Sequence, residues 1–352
     1  MLSVATDTAF SGVAWALAAM VAVLLGLLVL QIVFMRLVLG HRKRQLARFR
    51  KLWEPILASC IDSCPSRLPP LHRWQVTAFL GLWNYFQESV LEHAKERLNR
   101  VARRLRIDDT AAARLRKRSV SDRLLSLTAL GHLREYSCWS EVLAFVDSPD
   151  VIVSLCAAKA LVRIDPARAA AVLAPGIAHR PDWPPAGIAA VLVEAGPDVL
   201  SEPLAAAADA APVAAAPKLV RLLNLAHPHI AGPVIRRILE RTDDADTIGA
   251  CLRVVQDPAL LDLVRTRLDD AHWQIRVQAA SALGRFGTVE DVPRLIRALS
   301  DEQWWVRYRA AQAISQLPTV GLDRLRDLGN TVSDRYGRDM LRQIIVEREL
   351  AC

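Results

Sequence analysis

The residue types that could bind a metal are few in this chain and lie far apart. Cys60 and Cys64 form a single Cys-x3-Cys pair, and no second pair follows at a zinc-finger spacing. His227 and His229 flank a proline in AHPHIAG, without partners at a metal-binding spacing. The remaining cysteines are widely scattered, mostly within apolar helical patterns, where a free thiol packs as a small hydrophobic group. The sequence therefore predicts no metal site and no disulfide framework.

Motifs of nucleotide or acyl chemistry are also missing from the sequence. It contains no glycine-rich phosphate loop and no Gly-x-Ser-x-Gly elbow. Residues 124–352 hold 25 Lys and Arg against 28 Asp and Glu, so a basic nucleic-acid surface fits this larger part poorly. We therefore predict no catalytic residue, no cofactor, no enzyme activity and no nucleic-acid partner.

The composition indicates an all-α protein. Ala, Leu, Arg and Val dominate, whereas the 352 residues include only 15 Gly and 4 Tyr, so helix formers outnumber strand and turn residues. The chain is 52% hydrophobic and 23% charged, which excludes wholesale disorder.

A long uncharged segment near the start predicts a membrane anchor. No charged side chain occurs from Thr8 to Met35, and residues 13–35 are 23 mostly apolar residues. A helix of that length exceeds the ~30 Å hydrocarbon thickness of a bilayer. A cleaved signal peptide is the alternative, but it needs a basic start and a shorter apolar stretch. We therefore expect a transmembrane helix at 13–35 behind a short extracytoplasmic segment, 1–12.

The charges around this segment predict its orientation. Seven Lys and Arg lie between Arg36 and Lys51, whereas Asp7 is the only charged side chain before the span. The positive-inside rule then places the N-terminus outside and the rest of the chain in the cytoplasm. We expect a single-pass protein of a bacterial inner membrane.

Residues 36–118 are predicted to form a basic juxtamembrane helical segment. Aromatic and aliphatic residues from Trp74 to Val101 recur at helical spacing, as one long helix or two stacked ones, and favour core packing over a partner groove. Ten Lys and Arg lie between Lys95 and Arg118. They fit either a solvated face or anionic lipid headgroups. The candidate lipid-facing residues are Arg42, Lys43, Arg44, Arg103, Arg104, Arg116, Lys117 and Arg118.

A sequence unit recurs in the C-terminal part of the chain. DDAHWQIRVQAASALG (269–284) is followed 31 residues later by SDEQWWVRYRAAQAIS (300–315). Each copy places apolar residues on one helical face, and VEDVPRLIRAL (289–299) supplies another amphipathic helix between them. The unit is therefore a helix, a short turn and a helix.

Less perfect copies occur earlier, at 147–161 and 121–133. Their offsets from the first copy favour one continuous array over residues 119–350, with about six or seven helical pairs. The Ala- and Pro-rich stretches between them could be linker. Aliphatic residues at three- and four-residue intervals instead favour degenerate repeats with helix-starting prolines.

These units resemble HEAT repeats, of the short bacterial type similar to phycobilisome-lyase repeats. In that family a proline in the first helix precedes a turn aspartate by eight residues, and an arginine follows the aspartate by six. Pro293, Asp301 and Arg307 match all three, and Asp270 and Arg276 match the last two. The resemblance is strong over 265–318, moderate near 121–165 and weak over 170–255, and residues 41–118 resemble a divergent cap.

The resemblance implies a transmembrane helix followed by a HEAT-like α-α solenoid in which Asp270, Arg276, Asp301 and Arg307 form a structural ladder between repeats. Iron-binding hydroxylases of this fold need paired His-Glu dipeptides, and the sequence has none. The candidate protein-binding residues are Trp273, Trp304, Trp305 and Arg309, because Trp and Arg are enriched at interface hot spots. Since Trp304 and Trp305 are adjacent, at least one should be exposed. The alternative is that the tryptophans fill gaps between repeats.

We therefore expect a membrane-tethered cytoplasmic scaffold that binds a partner protein, with a membrane-associated enzyme or an envelope-biogenesis complex as a plausible client. Two alternatives stay open: a bilin-lyase-like enzyme or enzyme subunit at the membrane, and a sensor of anionic lipid surfaces.

Overall fold

The computed structural model describes the backbone of residues 2–60, 65, 67–117, 119–318 and 320–351. Side chains are described for residues 20, 24–41, 43–60, 65, 67–117, 119–318 and 320–350. The regular structure in these ranges is helical, and no strand occurs in them. The chain divides into two compact units, residues 1–113 and 114–352.

The first unit contains one very long helix and two short ones. The helices are α1 (Leu2–Ser59), α2 (Val76–Ser89) and α3 (Glu92–Arg104), and the unit boundary falls inside α4 (Ile107–Leu115). Helix α1 includes the apolar segment 13–35 and continues through the basic residues that follow it. By length and composition this helix is long and apolar enough to cross a membrane.

The end of α1 packs on α2. Phe49, Trp53 and Leu57 are spaced by four residues and are buried, and the Trp53 ring meets Phe79 edge-on at 5.0 Å. A buried stripe of this spacing is what one helix needs to pack against a neighbour. The contact of α1 with α2 therefore begins at Phe49, which lies 14 residues beyond Met35 and about 21 Å along the helix.

The aromatic stripe of this unit forms two helices, because Val90 and Leu91 adopt extended conformations between α2 and α3. The indole Nε1 of Trp83 donates to the carbonyl oxygen of Leu98 at 3.0 Å, and Gln87 donates to Asn99 at 2.7 Å. These bonds satisfy polar groups inside the apolar contact of α2 with α3. Core packing therefore accounts for much of the stripe, while Trp74 is exposed.

The second unit is a series of helix pairs joined by short turns. Its helices are α5 (Val120–Leu133), α6 (Trp139–Leu143), α7 (Val151–Ile164), α8 (Pro166–Gly176), α9 (Pro185–Val193), α10 (Pro197–Asp209), α11 (Ala216–Leu222), α12 (Pro228–Arg241), α13 (Ala245–Val254), α14 (Leu261–Thr266), α15 (Trp273–Phe286), α16 (Val292–Ala298), α17 (Trp304–Gln316), α18 (Leu322–Thr331) and α19 (Arg335–Ala351). The pairs run from α6 with α7 to α18 with α19, seven in the described residues.

These pairs stack in two layers, because helices contact the helix two positions further along the chain. One layer contains α5, α7 and α9 and then α11, α13, α15, α17 and α19, and the other contains α8, α10 and α12. Contacts between elements two apart, together with contacts inside most pairs, define a solenoid in which repeats pack on their neighbours.

Residues 170–255, where the resemblance is weakest, also form helix pairs. Several of these helices begin with a proline, which suits the first turn because that position lacks an intrahelical partner for its N–H. The helices that start in this way are α8, α9, α10, α11 and α12. The expectation of helix-starting prolines is confirmed here.

Other polar links replace the Asp-Arg signature in that region. The guanidinium of Arg180 donates to the carbonyl oxygens of Val146 and Ser148, one repeat earlier. Arg237 and Arg241 both pair with Asp209, at 2.7 and 2.8 Å. Arginines at different positions thus link neighbouring turns, which explains why the motif is absent from the sequence although the stacking continues.

Helices α15 and α17 contact each other through small residues. Ala279, Ala280, Ala310 and Ala311 are all fully buried. A Cβ added to Gly284 would lie 2.9 Å from the Cα of Ala313. The equivalent positions 153 residues earlier repeat this geometry, since a Cβ on Gly131 would lie 2.9 Å from the Cα of Ala160. Close backbone approach is therefore a repeated feature of this layer.

The apolar faces of the two recurrent helices largely match the predicted ones. Val306, Ala310, Ala313, Ile314 and Leu317 are buried. In the earlier copy Ile275, Ala279, Ala282 and Leu283 are buried, whereas Phe286 is half-buried at the end of α15.

Candidate protein-binding site

Two adjacent tryptophans at the start of α17 are both exposed. Trp304 is 39% and Trp305 52% exposed. Neighbouring residues of a helix differ by about 100° in direction, and Val306 faces the core, so the pair points away from it. Isolated exposed apolar residues are common, but a contiguous aromatic group is a mark of an interaction surface.

The tryptophans form a cluster with Tyr308. The rings of Trp304 and Tyr308 stack at 5.2 Å and 8°, one helical turn apart, and Trp305 meets Trp304 edge-on at 4.7 Å. The Tyr308 hydroxyl donates to Glu347 at 3.3 Å, and burial together with this carboxylate raises the pKa of the phenol. The three rings therefore hold one another in place and present a preorganised apolar surface.

Arg309 lies beside this cluster. Its guanidinium lies over the Tyr308 ring, 5.9 Å from the centroid, and donates to Gln312. Tyr308 was not identified from the sequence, although its spacing of four residues from Trp304 was a signal for it. We define the aromatic surface as Trp304, Trp305, Tyr308 and Arg309.

Trp273 occupies the equivalent position at the start of α15 and is half-buried. In the described part of the chain the ring contacts of Trp304 are with Trp305 and Tyr308 rather than with Trp273. Trp273 and Trp304, two of the candidate protein-binding residues, are therefore not joined by direct ring contact.

Arg276 joins two successive repeats. Its Nε and Nη2 donate to the carboxylate of Asp301 at 2.7 and 2.9 Å, and its Nη1 donates to the carbonyl oxygens of Asp270 and Ala271. Burial alone would raise the pKa of Asp301, but the hydrogen bonds from Arg276 and from the Gln303 N–H hold it below its usual range. This bidentate pair is the kind of link that the resemblance implied.

Asp270 has a different partner. It accepts from the Arg267 guanidinium at 3.1 Å and from the His272 N–H at 2.9 Å, both within its own repeat. Position 245, which lies 25 residues before Asp270 as Arg276 does before Asp301, is an alanine. The ladder between repeats therefore has one complete link, Arg276 with Asp301.

Asp291 is a buried carboxylate whose ion pair was not predicted from the sequence. Asp291 is 0% exposed and binds Arg265 through two hydrogen bonds of 2.6 and 3.2 Å. It also accepts from the Thr288 N–H at 2.9 Å, in a capping box at the start of the segment that leads into α16. Thr-x-x-Asp was the available signal for this cap.

These ion pairs line an open groove of about 600 Å³ between the turns of adjacent repeats. Its wall carries Arg265, Arg276, Arg297, Asp262 and Asp301 among others, so both signs of charge are present. Several of these aspartates and arginines are paired with each other, as Arg265 is with Asp262 and Arg276 with Asp301.

His227 and Cys251 have contacts or surroundings typical of structural residues. His227 precedes α12 and its Nε2 lies 2.7 Å from Asp198. Burial raises the pKa of the Cys251 thiol to about 12, which keeps it protonated and unreactive. Among the described residues no group of three or more His, Cys, Asp or Glu could hold a metal, and Cys64 lies outside those residues.

Some of the basic candidates have partners within the protein. Arg116 pairs with Glu141 at 2.8 Å, and Arg104 donates to the carbonyl oxygen of Pro65. The exposed candidates also include Lys43, Arg44, Arg103 and Lys117, whereas Arg118 and the side chain of Arg42 lie outside the described residues.

The stacked helix pairs and the ion pairs between their turns define an all-α repeat protein. The family model of HEAT repeats matches residues 216–315 and 258–344, so this part of the chain is similar to HEAT repeats. No curated protein matches the chain. HEAT repeats commonly mediate protein interactions, and the match therefore suggests a repeat scaffold.

Proposed function

We propose that this protein is a membrane-tethered scaffold whose aromatic surface on α17 binds a partner protein. The carrying observation is the pair of exposed tryptophans, Trp304 and Trp305, in ring contact with the half-buried Tyr308 on a HEAT-like repeat. A solenoid exposes a long surface relative to its core, and such residue types dominate interface energetics. The partner in this proposal is cytoplasmic or membrane-associated.

The binding half of the proposal is tested by cross-linking in native membranes. Gln303 is exposed directly before Trp304, so a photo-cross-linking amino acid there leaves both tryptophans intact. Capture with the full chain is compared with an anchor-only control. Enrichment of a defined protein supports the scaffold, whereas no enrichment over the control contradicts it.

Replacing Trp305 by alanine should lower the affinity for that partner about tenfold or more, because an exposed tryptophan in a packed interface carries a large share of the binding energy. Tyr136 is 63% exposed and lies elsewhere in the same unit, so Tyr136→Ala is the matched control. Titration of the purified full chain with the partner measures both. Equal affinities of the two variants would place the interface elsewhere.

The tether is supported by α1, which continues from the apolar segment into a stretch of exposed basic residues including Lys43 and Arg44. That charge distribution favours an outside N-terminus and cytoplasmic repeats. We propose a bacterial inner membrane as its location.

We expect the full chain to stay in the membrane pellet after alkaline carbonate extraction, and a chain without residues 1–35 to move to the supernatant. The reason is that the deleted segment supplies the apolar length needed to span a bilayer. Protease added to spheroplasts, in which the outer face of the inner membrane is accessible, should leave the repeats uncut. Release of the full chain by carbonate, or cleavage of the repeats from outside, would contradict the anchor or its orientation.

A further inference from the structure

Among the described residues, the arginine that follows Arg276 in the array, Arg307, makes no side-chain ion pair with a carboxylate. Arg307 repeats the backbone contacts that Arg276 makes. Its Nη1 donates to the carbonyl oxygens of Asp301 at 2.7 Å and Glu302 at 3.0 Å. In the preceding repeat the remaining edge of Arg276 binds Asp301. The position 31 residues beyond Asp301 is Val332, so the next repeat supplies no aspartate there.

The remaining edge of Arg307 carries an unsatisfied donor. Its Nε is buried and has no hydrogen-bond partner in the described part of the chain. The Tyr336 ring lies 5.2 Å from the guanidinium carbon and covers a face of it. Guanidinium N–H groups donate in the plane of the group, so a ring over the face cannot replace a carboxylate at the edge. Buried donors without partners are rare because they cost stability.

Several exposed residues lie close to Arg307 in the sequence or in contact with it. Trp304 and Trp305 are three and two residues before Arg307 on the same helix, and Tyr336 is 61% exposed. Arg335, directly before Tyr336, is also exposed and adds positive charge. A ligand that reaches Arg307 from solvent would therefore meet both a cationic fork and an aromatic surface.

We propose that Arg307 binds an Asp or Glu carboxylate of the partner protein, with a neighbouring apolar side chain of the partner lying on Trp304 and Trp305. The chain itself provides the precedent, because Arg276 binds a carboxylate in two hydrogen bonds from the same repeat position. This inference rests on the proposed function, since it names the chemistry of the partner at the same surface.

The test begins with the cross-link from position 303 of the full chain in native membranes. The cross-linked segment is identified, synthesised as a peptide and titrated against the full chain. Each Asp or Glu of the peptide is changed to Asn or Gln, which leaves the repeat protein intact. One of these changes should weaken binding at least about tenfold.

Arg307→Lys should weaken binding by a similar factor, because lysine keeps the charge but loses the fork. The control is Arg324→Lys, an exposed arginine on α18. Combining Arg307→Lys with the critical peptide change should weaken binding no further than either change alone. Unchanged circular dichroism and melting temperature of the variant separate loss of binding from loss of folding.

The outcomes distinguish the two ideas. No cross-linked protein contradicts the proposed function and this inference together. A partner whose segment carries no acidic residue, or whose acidic residues are not coupled to Arg307, overturns the inference alone. A cross-link only to lipid or to a second copy of the chain also overturns it.

Discussion

Replacing Asp291 by alanine should lower the free energy of unfolding by about 3–5 kcal/mol, the range for removing one partner of a buried ion pair. The change leaves Arg265, which is only 17% exposed, without its carboxylate, and it removes the acceptor of the Thr288 N–H. Urea unfolding of the purified full chain in detergent measures the loss.

Hydrogen exchange should locate this effect, since repeat arrays can open locally. Amides of α14, α15 and α16 should exchange faster in Asp291→Ala, while those of α7 and α8 should be unchanged. The matched control is Asp262→Ala, which removes a 93% exposed carboxylate 3.0 Å from the same arginine. That surface pair should contribute less than about 1 kcal/mol. Equal losses in the two variants would refute the assigned role of Asp291.

The Asp291 carboxylate also makes the stability of the folded protein depend on pH. Burial alone would raise the pKa of Asp291, but hydrogen bonds from Arg265 and the Thr288 N–H lower it overall. A folded-state pKa below the unfolded value of about 3.9 means that its stabilisation is complete above that pH. It is lost as the pH falls through the folded pKa. The stability difference between the wild type and Asp291→Asn should therefore be constant from about pH 5 to 7 and shrink below about pH 4.

The helices of the recurrent unit could be predicted because their apolar residues repeat with the helical period. The break between α2 and α3 could not be predicted. The sequence Ser-Val-Leu-Glu at 89–92 contains no glycine or proline, and the apolar period continues through it. There the Ser89 hydroxyl bonds the Tyr85 carbonyl oxygen, and packing of the two helices outweighs local propensity.

The partners in the ion pairs between repeats could not be predicted from the sequence either. Aspartate and arginine six residues apart identified a turn, but the partner of each arginine depends on stacking. Arg276 binds Asp301 because the next repeat carries an acidic residue at that position, whereas Asp270 binds Arg267. Asp291 looks like an ordinary capping residue in the sequence. Its burial follows from Arg265, 26 residues earlier on another helix, which no local pattern specifies.

Replacing Gly284 by alanine should lower the free energy of unfolding by about 1–3 kcal/mol, the usual cost of forcing extra volume into a packed contact. The new Cβ would lie 2.9 Å from the Cα of Ala313 and 2.6 Å from the Gln316 side-chain oxygen. The side chain of Gln316 can move, but Ala313 belongs to the backbone of α17, so the two helices must separate. Gly131→Ala, with the same contact to Ala160, should act in the same direction.

Gly249 provides a control at which alanine should raise, rather than lower, the free energy of unfolding. It lies inside α13, and an added Cβ there meets no atom within 4 Å. Alanine favours a helix interior over glycine by about 0.5–1 kcal/mol, so Gly249→Ala should stabilise the protein. Thermal unfolding of the full chain followed by circular dichroism compares the variants. If Gly284→Ala also stabilised the protein, the helices would not pack as closely as described, and the solenoid would need a different spacing in this layer.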